Sequence, residues 1–303
     1  MKVGEKLKVA YIVSIAHGLD AWTYREIDGL ENNNTNVSLF PLKFRAGPYM
    51  PEAELDIYWF NWITVFLFQP WYFVRDPVKY LTLWFEALKT HSLPYLLVGF
   101  DFARQMSKRK IQFIDCVFAD HKFFIGFYCK RIINLPLSIA IYGYELKNNT
   151  NWVILKQALP YADTIIVNCD YNKQLLAKIS GNAIADKAKF IRHFAEVPDK
   201  AASTKIKILH VGGIKSQKGH AQLFKAIKSL GELSDNIEVW VAGYPGDINI
   251  QELALESGIA DKVKIFESIP DQVLELLYQQ CDIFYLPSIT LRDGVSEGLG
   301  FPY

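Results

Sequence analysis

The stretch HVGGIKSQKGH contains the residue types that bind a phosphate. Gly212 and Gly213 follow an apolar run that predicts a strand, and Lys218 lies near the start of the next predicted helix. Glycine permits close backbone approach, exposed amides bind anions, and lysine adds a positive charge. The spacing is neither G-x-G-x-x-G nor a P-loop, so a glycine turn beside a solvated lysine explains it about as well. The turn AGYPGD, which contains Gly243, follows the next predicted strand and is by itself typical of a turn.

A second candidate lies in LPSITLRDGVSEGLGFPY at the end of the chain. A predicted strand ends at FYLPS, Arg292 follows it, and Glu297 precedes Gly298, Leu299 and Gly300. A carboxylate can accept hydrogen bonds from two sugar hydroxyls, and the adjoining amides can face a phosphate or further hydroxyls. The alternative is a capping glutamate before a disordered end.

Polar residues also follow three predicted strands in the first half of the chain. His17 and Gly18 follow the first strand, His121 follows another in FADHKFF, and Tyr142 and Glu145 follow a third in AIYGYEL. Ligands of open α/β sheets bind at the carboxyl ends of strands. A histidine there can act as a general base or donate a hydrogen bond to a sugar hydroxyl. Taken singly, each of these residues is more typical of a structural role.

Charge and cysteine content exclude several classes of protein. Lys and Arg number 33 against 32 Asp and Glu, so the net charge of +1 provides no basic field for nucleic acid. No spacing of His, Cys, Asp or Glu typical of a metal site occurs. The four cysteines lie far apart and form no C-x-x-C, so we expect free thiols in a reducing compartment. The start MKVGEKLKVAYIVS has only a short apolar run and predicts a mature cytosolic start.

Short apolar runs alternate with longer helical patterns, which is typical of β-α units around a parallel sheet. Asp20 is expected to cap the first helix, and Asp76 before Pro77 to cap a later one. The predicted strands before residue 195 are 8–15, 36–42 and 55–60, then YLLVGF, QFIDCVFAD, LPLSIAIYGYEL, ADTIIVN and AKFIRHF.

The polar stretch Ala195–Lys205 is the best linker candidate, and four further β-α units follow it. We therefore predict an α/β fold class with two Rossmann-like doubly wound domains. The first spans 1–200 and the second spans 201–303.

The segment Ile57–Val74, IYWFNWITVFLFQPWYFV, is rich in aromatic residues. It lacks the roughly 20 uninterrupted apolar residues of a transmembrane helix. One interpretation is a buried strand followed by a core helix. The other is an aromatic surface that lies among lipid headgroups or meets a lipid-linked substrate.

Together these stretches resemble the family-4 glycosyltransferases of the GT-B fold. ILHVGGIKSQKGHAQLFKAI is similar to the family's VGR-x-x-x-x-KG-x-x-x-L-x-A, and LLYQQCDIFYLPS…DGVSEGLGFP to its Y-x-x-AD-x-ϕ-x-ϕPS…EG-x-G-x-P, where ϕ is apolar. LPLSIAIYGYEL resembles the segment written P-x-x-x-T-x-H-G-x-D. The resemblance covers nearly the whole chain and implies two Rossmann-like domains facing a cleft, with the second domain incomplete.

The resemblance also implies an activity and a set of site residues. The activity is retaining transfer of a sugar, of the hexosyltransferase type, from a nucleotide-diphosphate sugar to an acceptor hydroxyl, without a metal or other cofactor. The implied catalytic residues are His121 and Glu297. The implied donor-binding residues are Gly212, Gly213, Lys218, Gly243, Arg292, Gly298, Leu299 and Gly300. The implied acceptor-side residues are His17, Gly18, Tyr142 and Glu145. The implied partners are the nucleotide sugar and a glycan or lipid-linked acceptor, at a cytoplasmic location or the inner face of the membrane.

The sequence departs from the family pattern at several positions. The family's phosphate-side arginine falls at Gly213, where Lys215 or Arg292 would have to substitute, and the histidine of its His-Gly pair is Tyr142. The second glutamate of its paired-glutamate motif would fall two positions past Tyr303. We therefore expect weak or no turnover from the chain as given. The alternative function is a non-catalytic GT-B chain that acts as a binding or partner subunit.

Overall fold

The computed structural model of the 303-residue chain describes residues 6–15, 18–47, 50, 55–191 and 205–291. Contacts between residues divide the chain into a first unit, Met1–Arg192, and a second unit, His193–Tyr303. The predicted domain boundary at residues 200 and 201 lies in a stretch outside the described residues and stays a prediction.

The first unit is built on a seven-stranded sheet whose paired strands all run parallel. The strands are β1 Leu7–Ile15, β2 Thr35–Phe44, β3 Asp56–Ile57, β4 Phe113–Val117, β5 Leu137–Ile141, β6 Thr164–Val167 and β7 Ala188–Phe190. Their order in the sheet is β3-β2-β1-β4-β5-β6-β7, so the direction of winding reverses between β1 and β4. A crevice outside the carboxyl ends of strands at such a reversal is the usual ligand site of this architecture.

Helices connect these strands. They are α1 Ala21–Asn32, α2 Trp62–Leu67, α3 Gln69–Arg75, α4 Pro77–Lys89, α5 Leu93–Arg109, α6 His121–Ile133, α7 Trp152–Ala158, α8 Asp170–Ser180 and α9 Asn182–Ala185. Side chains alternate between the two faces of a strand, and β1 is apolar on both. Ala10 and Ile12 lie in the main core with residues of α5 and α6, whereas Tyr11, Val13 and Ile15 lie in a smaller core with residues of α1. The continuous apolar run of β1 is therefore buried from both sides.

The strand predicted at YLLVGF is wrong, because these residues lie within α5. Leu96, Val98 and Phe100 are all buried there, and α5 packs against α6. A short apolar run does not distinguish a buried strand from a buried helix by its periodicity. Pro94 in the first turn of α5 was the signal for a helix start.

The strand predicted at 55–60 shortens to β3, since the chain leaves the sheet after Ile57. The side chain of Asn61 accepts a hydrogen bond from the Ile63 amide at 2.8 Å and caps α2. The aromatic segment thus forms two short helices with exposed side chains, and the buried strand followed by a core helix is wrong.

The two predicted helix caps have different outcomes. Asp76 caps α4 as predicted, accepting from the Lys79 amide at 3.0 Å, with Pro77 in the first turn. Asp20 precedes α1, but its side chain makes no capping hydrogen bond, so that prediction is wrong. Burial raises the pKa of the Asp20 carboxyl, and the nearby charge of Lys122 lowers it.

The second unit contains a four-stranded parallel sheet in its described part, with the order β10-β9-β8-β11. Its strands are β8 Ile206–Val211, β9 Ile237–Gly243, β10 Val263–Glu267 and β11 Ile283–Phe284. Its helices are α10 His220–Ser229, α11 Ile250–Ser257 and α12 Asp271–Gln280. All four β-α units predicted after residue 205 begin with the expected strand, and the winding reverses between β8 and β11.

Candidate functional site

The loops after β8 and β9 run side by side at the carboxyl edge of the second sheet. The Gly212 amide donates to the Ala242 carbonyl oxygen at 2.9 Å, and the Ile214 amide donates to the Tyr244 carbonyl oxygen at 2.9 Å. A Cβ atom added to Gly243 would overlap the carbonyl oxygen of Gly212. Only glycine at 243 permits this backbone contact, so the turn AGYPGD has a structural requirement that its composition alone did not show.

The start of α10 meets the segment that follows β11. Gly219 has a φ of +76°, and a Cβ atom there would overlap the carbonyl oxygen of Pro287. The Ile289 amide donates to the Gln217 carbonyl oxygen at 2.8 Å. Three strand-end loops, after β8, β9 and β11, therefore converge around the turn Ser216–Lys218, at the reversal of the sheet.

Lys218 lies inside this convergence and is only 5% exposed. Its side chain runs along Gly212, where an added Cβ atom would lie 3.3 Å from Lys218 Nζ. Lys215 is exposed and lies beside Gly213, at 3.8 Å from Cε to the corresponding Cβ position. Two lysines thus lie beside the glycines. Lys215 is next to Gly213, the position at which the pattern that the sequence resembles has an arginine.

Two buried histidines that no sequence motif indicated adjoin Lys218. His220 is the first residue of α10, and its ring centroid lies 4.1 Å from that of His210. Burial, followed by the effect of the neighbouring His210, lowers the pKa of His220 to about 3. The ring is therefore neutral near pH 7, and the positive charge at these loops comes from the lysines.

Several predicted site residues lie outside the described residues and stay predictions. They are His17 in the first unit and Arg292, Glu297, Gly298, Leu299 and Gly300 in the second.

His121 follows β4 and begins α6, beside the reversal of the first sheet. Asp120 caps that helix, and its Oδ2 lies 3.5 Å from His121 Nδ1. Burial lowers the pKa of His121 more than the Asp120 carboxylate raises it, and Lys122 lowers it further. Within the described part of the chain, His121 Nε2 is buried and has no hydrogen-bond partner. A neutral imidazole with a free ring nitrogen can exchange a hydrogen bond with a substrate hydroxyl.

Gly18 lies after β1, the neighbouring strand at the same reversal, and its amide donates to the Arg45 carbonyl oxygen at 2.9 Å. Gly18 and His121 therefore follow the two strands that flank the reversal, where ligands of open α/β sheets bind. Their contact with an acceptor stays a prediction.

Glu145 supports the turn after β5. Its Oε1 accepts from the Tyr142 amide at 2.8 Å, and burial raises its pKa to about 7. Asn149 Nδ2 donates to the carbonyl oxygens of Ala119 at 2.6 Å and Glu145 at 3.1 Å, which ties this turn to the loop before His121. The Glu145 side chain thus supports its own turn, and Asn149 joins that turn to the loop before His121. A direct contact of Tyr142 or Glu145 with a ligand stays a prediction.

Two partly buried carboxyl groups lie beneath this edge, and no sequence motif indicated them. The Tyr11 hydroxyl donates to Glu26 Oε2 at 2.6 Å, and the Ser138 hydroxyl donates to Asp115 Oδ1 at 2.5 Å. Burial, and then the nearby Asp115, raises the pKa of Glu26 to about 7. Burial raises the pKa of Asp115 to about 6.

These shifts predict a pH-dependent effect of Glu26→Gln on stability. Between pH 4.5, the ordinary pKa, and about 7, the folded chain keeps a proton on Glu26 that the unfolded chain releases. The stability that this proton contributes is complete below pH 4.5 and is lost as the pH rises through about 7. Glutamine does not ionise, so the variant should gain up to about 3 kcal/mol relative to wild type between pH 5 and pH 8.

Urea unfolding at both pH values measures this gain. Asp28→Asn, an exposed change two residues along the same helix, is the matched control and should show no such gain. The difference in the free energy of unfolding between Glu26→Gln and wild type should be larger at pH 8 than at pH 5. An equal difference at the two pH values would contradict the raised pKa.

Comparison with solved structures identifies the fold. The apo form of the lipopolysaccharide outer core galactosyltransferase WaaB matches with a TM-score of 0.57 and 15% identity, over 93% of this chain and 74% of that chain. A sucrose-phosphate synthase from Thermosynechococcus elongatus matches with a TM-score of 0.62 and 14% identity, over 97% and 77%. HepE of Anabaena in complex with UDP and glucose matches with a TM-score of 0.60 and 12% identity, over 93% and 74%. The chain therefore has the predicted α/β fold of the GT-B glycosyltransferases.

The family comparison is confined to one part of the chain. Residues 194–303 match the family described as Glycosyl transferases group 1. This span includes the three converging loops and Lys218. No curated protein sequence matches the chain significantly. Among the described residues, no helix is both long and apolar enough to cross a bilayer.

Proposed function

We propose that this chain is a retaining glycosyltransferase that moves a hexose from a nucleotide-diphosphate sugar to an acceptor hydroxyl. The observation that carries the proposal is the convergence of three strand-end loops and the buried Lys218, at the reversal of a sheet within residues 194–303. The match of that span to Glycosyl transferases group 1 supports it. The comparisons do not favour the alternative of a non-catalytic partner subunit.

The loops of the second unit would bind the donor diphosphate. Backbone amides near Gly212 and Gly213 and the lysines Lys215 and Lys218 offer positive charge to phosphate oxygens. As the bond from the sugar C1 to the diphosphate oxygen breaks, negative charge grows on that oxygen, and preorganised donors stabilise it. This set of cations requires no metal ion in the proposed reaction.

The remaining site residues complete the proposed reaction. Glu297 would accept hydrogen bonds from the donor sugar, with Gly298 to Gly300 offering amides and Arg292 adding charge. On the acceptor side, His121 would exchange a hydrogen bond with the attacking hydroxyl, near Gly18. The acceptor oxygen bonds to C1, and the acceptor proton leaves with the nucleoside diphosphate.

The acceptor is proposed to be a glycan or lipid-linked sugar in polysaccharide or glycolipid synthesis. The protein would be cytoplasmic, at the inner face of the membrane, and would contact the membrane peripherally through residues 57–74. The exposed aromatic side chains of that segment support this placement.

A donor panel tests the proposal. The 303-residue chain is incubated with UDP-, GDP-, ADP- and TDP-sugars, and mass spectrometry measures release of each nucleoside diphosphate. We expect slow release from one donor class, and release at least tenfold slower again by Glu297→Gln than by the exposed control Glu256→Gln. NMR of the transferred sugar should show the anomeric configuration of the donor. Failure of every nucleoside diphosphate to raise the melting temperature would contradict the proposal.

A further inference from the structure

Helices α2, α3 and α4 expose an apolar surface that no described residue covers. On α4, Val78, Leu81, Phe85 and Leu88 follow a spacing of three, four and three residues and are 57–76% exposed. The opposite face of α4 packs into the core through Leu83 and Ala87. We call the exposed apolar side chains of α2 to α4 the apolar platform: Trp62, Ile63, Phe66, Leu67, Trp71, Phe73, Val74, Val78, Leu81, Phe85 and Leu88.

The platform is held by a buried carboxylate. Asp101 of α5 is 2% exposed and accepts from the Asn61 amide at 3.0 Å and the Thr64 hydroxyl at 2.8 Å. It also accepts from Gln105 Nε2 at 2.8 Å and Arg104 at 2.7 Å. Both ends of the first turn of α2 are therefore hydrogen-bonded to α5. Because this turn is anchored, the exposed apolar side chains belong to a folded part of the chain.

A basic cavity opens beside the platform. It has a volume of about 390 Å³, within the range of about 300–1,000 Å³ for ligand pockets. Trp71 and Tyr80 line it together with the cations Arg75, Lys79 and Arg104. The Arg75 guanidinium lies 5.0 Å from the Trp71 ring centroid.

Positively charged side chains outnumber negatively charged ones at this cavity. Asp76 is its lining carboxylate, and one of its oxygens already accepts the Lys79 amide as the cap of α4. Arg104 shares its charge with Asp101, whereas Arg75 and Lys79 form no ion pair within the described residues. Between Ile57 and Phe85 the sequence contains only three charged residues, Arg75, Asp76 and Lys79. A net positive cavity therefore sits inside an otherwise uncharged apolar surface.

We infer that the apolar platform inserts into the interfacial region of an anionic bilayer, and that the cavity beside it holds the phosphate of a lipid headgroup. A bilayer supplies acyl chains and phosphates at neighbouring depths, which matches apolar side chains next to Arg75 and Lys79. Tryptophan prefers this depth, and Trp62 and Trp71 are each about half exposed. The inference gives the membrane contact of the proposed function its lipid class, but it does not depend on sugar transfer.

Vesicle co-sedimentation of the full chain tests the inference without any donor. Vesicles are phosphatidylcholine alone or phosphatidylcholine with phosphatidylglycerol at a ratio of 3:1. We expect wild type to partition at least tenfold more strongly onto the anionic vesicles, and less so as salt rises. Arg75→Gln with Lys79→Gln should reduce that preference to within about twofold of neutral vesicles. Leu67→Glu with Phe85→Glu should abolish binding to both.

Matched controls distinguish an effect of this site from a general effect of protein charge or of exposed apolar side chains. Lys178→Gln with Lys189→Gln removes the same charge from exposed positions elsewhere in the first unit, and Leu233→Glu with Leu255→Glu changes exposed leucines of the second unit. Both should bind like wild type, and circular dichroism confirms that each variant is folded. Equal binding of wild type to neutral and anionic vesicles, or no binding, would overturn the inference. Light scattering gives a further outcome that would overturn the inference: a wild-type dimer that becomes a monomer in the Leu67→Glu, Phe85→Glu variant. In that case a second copy of the chain, and not a bilayer, would cover the platform.

Discussion

Replacing Lys218 by methionine should lower kcat/KM for the nucleotide-sugar donor by on the order of a hundredfold or more. The lysine is 5% exposed and runs along Gly212, so its charge acts where water screens little. Methionine keeps much of the apolar stem but removes the ammonium that would meet the diphosphate. Nucleoside diphosphate release over a range of donor concentrations measures the effect.

Two further variants locate this effect. Lys225→Met changes an exposed lysine on the outside of α10 and should leave kcat/KM unchanged. Lys215→Met should cause a smaller loss than Lys218→Met, because Lys215 is exposed and better screened. A kcat/KM of Lys218→Met within threefold of wild type would show that the diphosphate binds elsewhere.

The second large effect is expected from Asp101→Asn, which should lower the free energy of unfolding of the first unit by roughly 3–5 kcal/mol. The carboxylate accepts from the Asn61 amide, Thr64, Arg104 and Gln105, and asparagine turns an amide group with its own hydrogens toward these donors. The Arg104 charge also loses its ion pair. Urea unfolding followed by circular dichroism measures the change.

An exposed aspartate provides the control for this loss. Asp56→Asn makes the same chemical change on an exposed residue of the edge strand β3 and should cost less than about 0.5 kcal/mol. Since α2 is bonded to α5 through Asp101, the Asp101→Asn variant should also expose Asn61–Leu67 to faster amide hydrogen exchange. A loss below 1 kcal/mol would show that the apolar platform is held by packing alone.

The sequence predicted the sheets well because parallel strands buried on both faces leave continuous apolar runs. The run before Gly212 and the run FIDCV both became central strands. The same signal failed at YLLVGF, where α5 is buried on enough sides to lose its polar stripe. It also failed after Ile57, where aromatic residues that favour strands elsewhere form α2 and α3. In both places tertiary packing decided the outcome over local preference.

Some residues of the candidate site could also be predicted from the sequence, and others could not. Gly212, Gly213 and Lys218 follow β8 of the second sheet and His121 follows β4 of the first, so their positions after strand ends followed from the β-α pattern. The positions of the partly buried Glu26 and Asp115 did not, because their proximity depends on strand order and on which face of the sheet each occupies. The same holds for Asp101, two of whose partners, Thr64 and Asn61, lie 37 and 40 residues away in the chain.

The backbone contact between Gly212 and Gly243 has a consequence for how this fold can change its substrate. With no side chain between them, the two loops are fixed to one another by main-chain atoms, and their amides keep their positions whatever side chains surround them. An exposed residue on the rim, such as Tyr244, can then vary without moving these amides. Under the proposed function, this main-chain frame would hold the donor phosphates while side chains on the rim change, so donor preference would evolve without disturbing the frame.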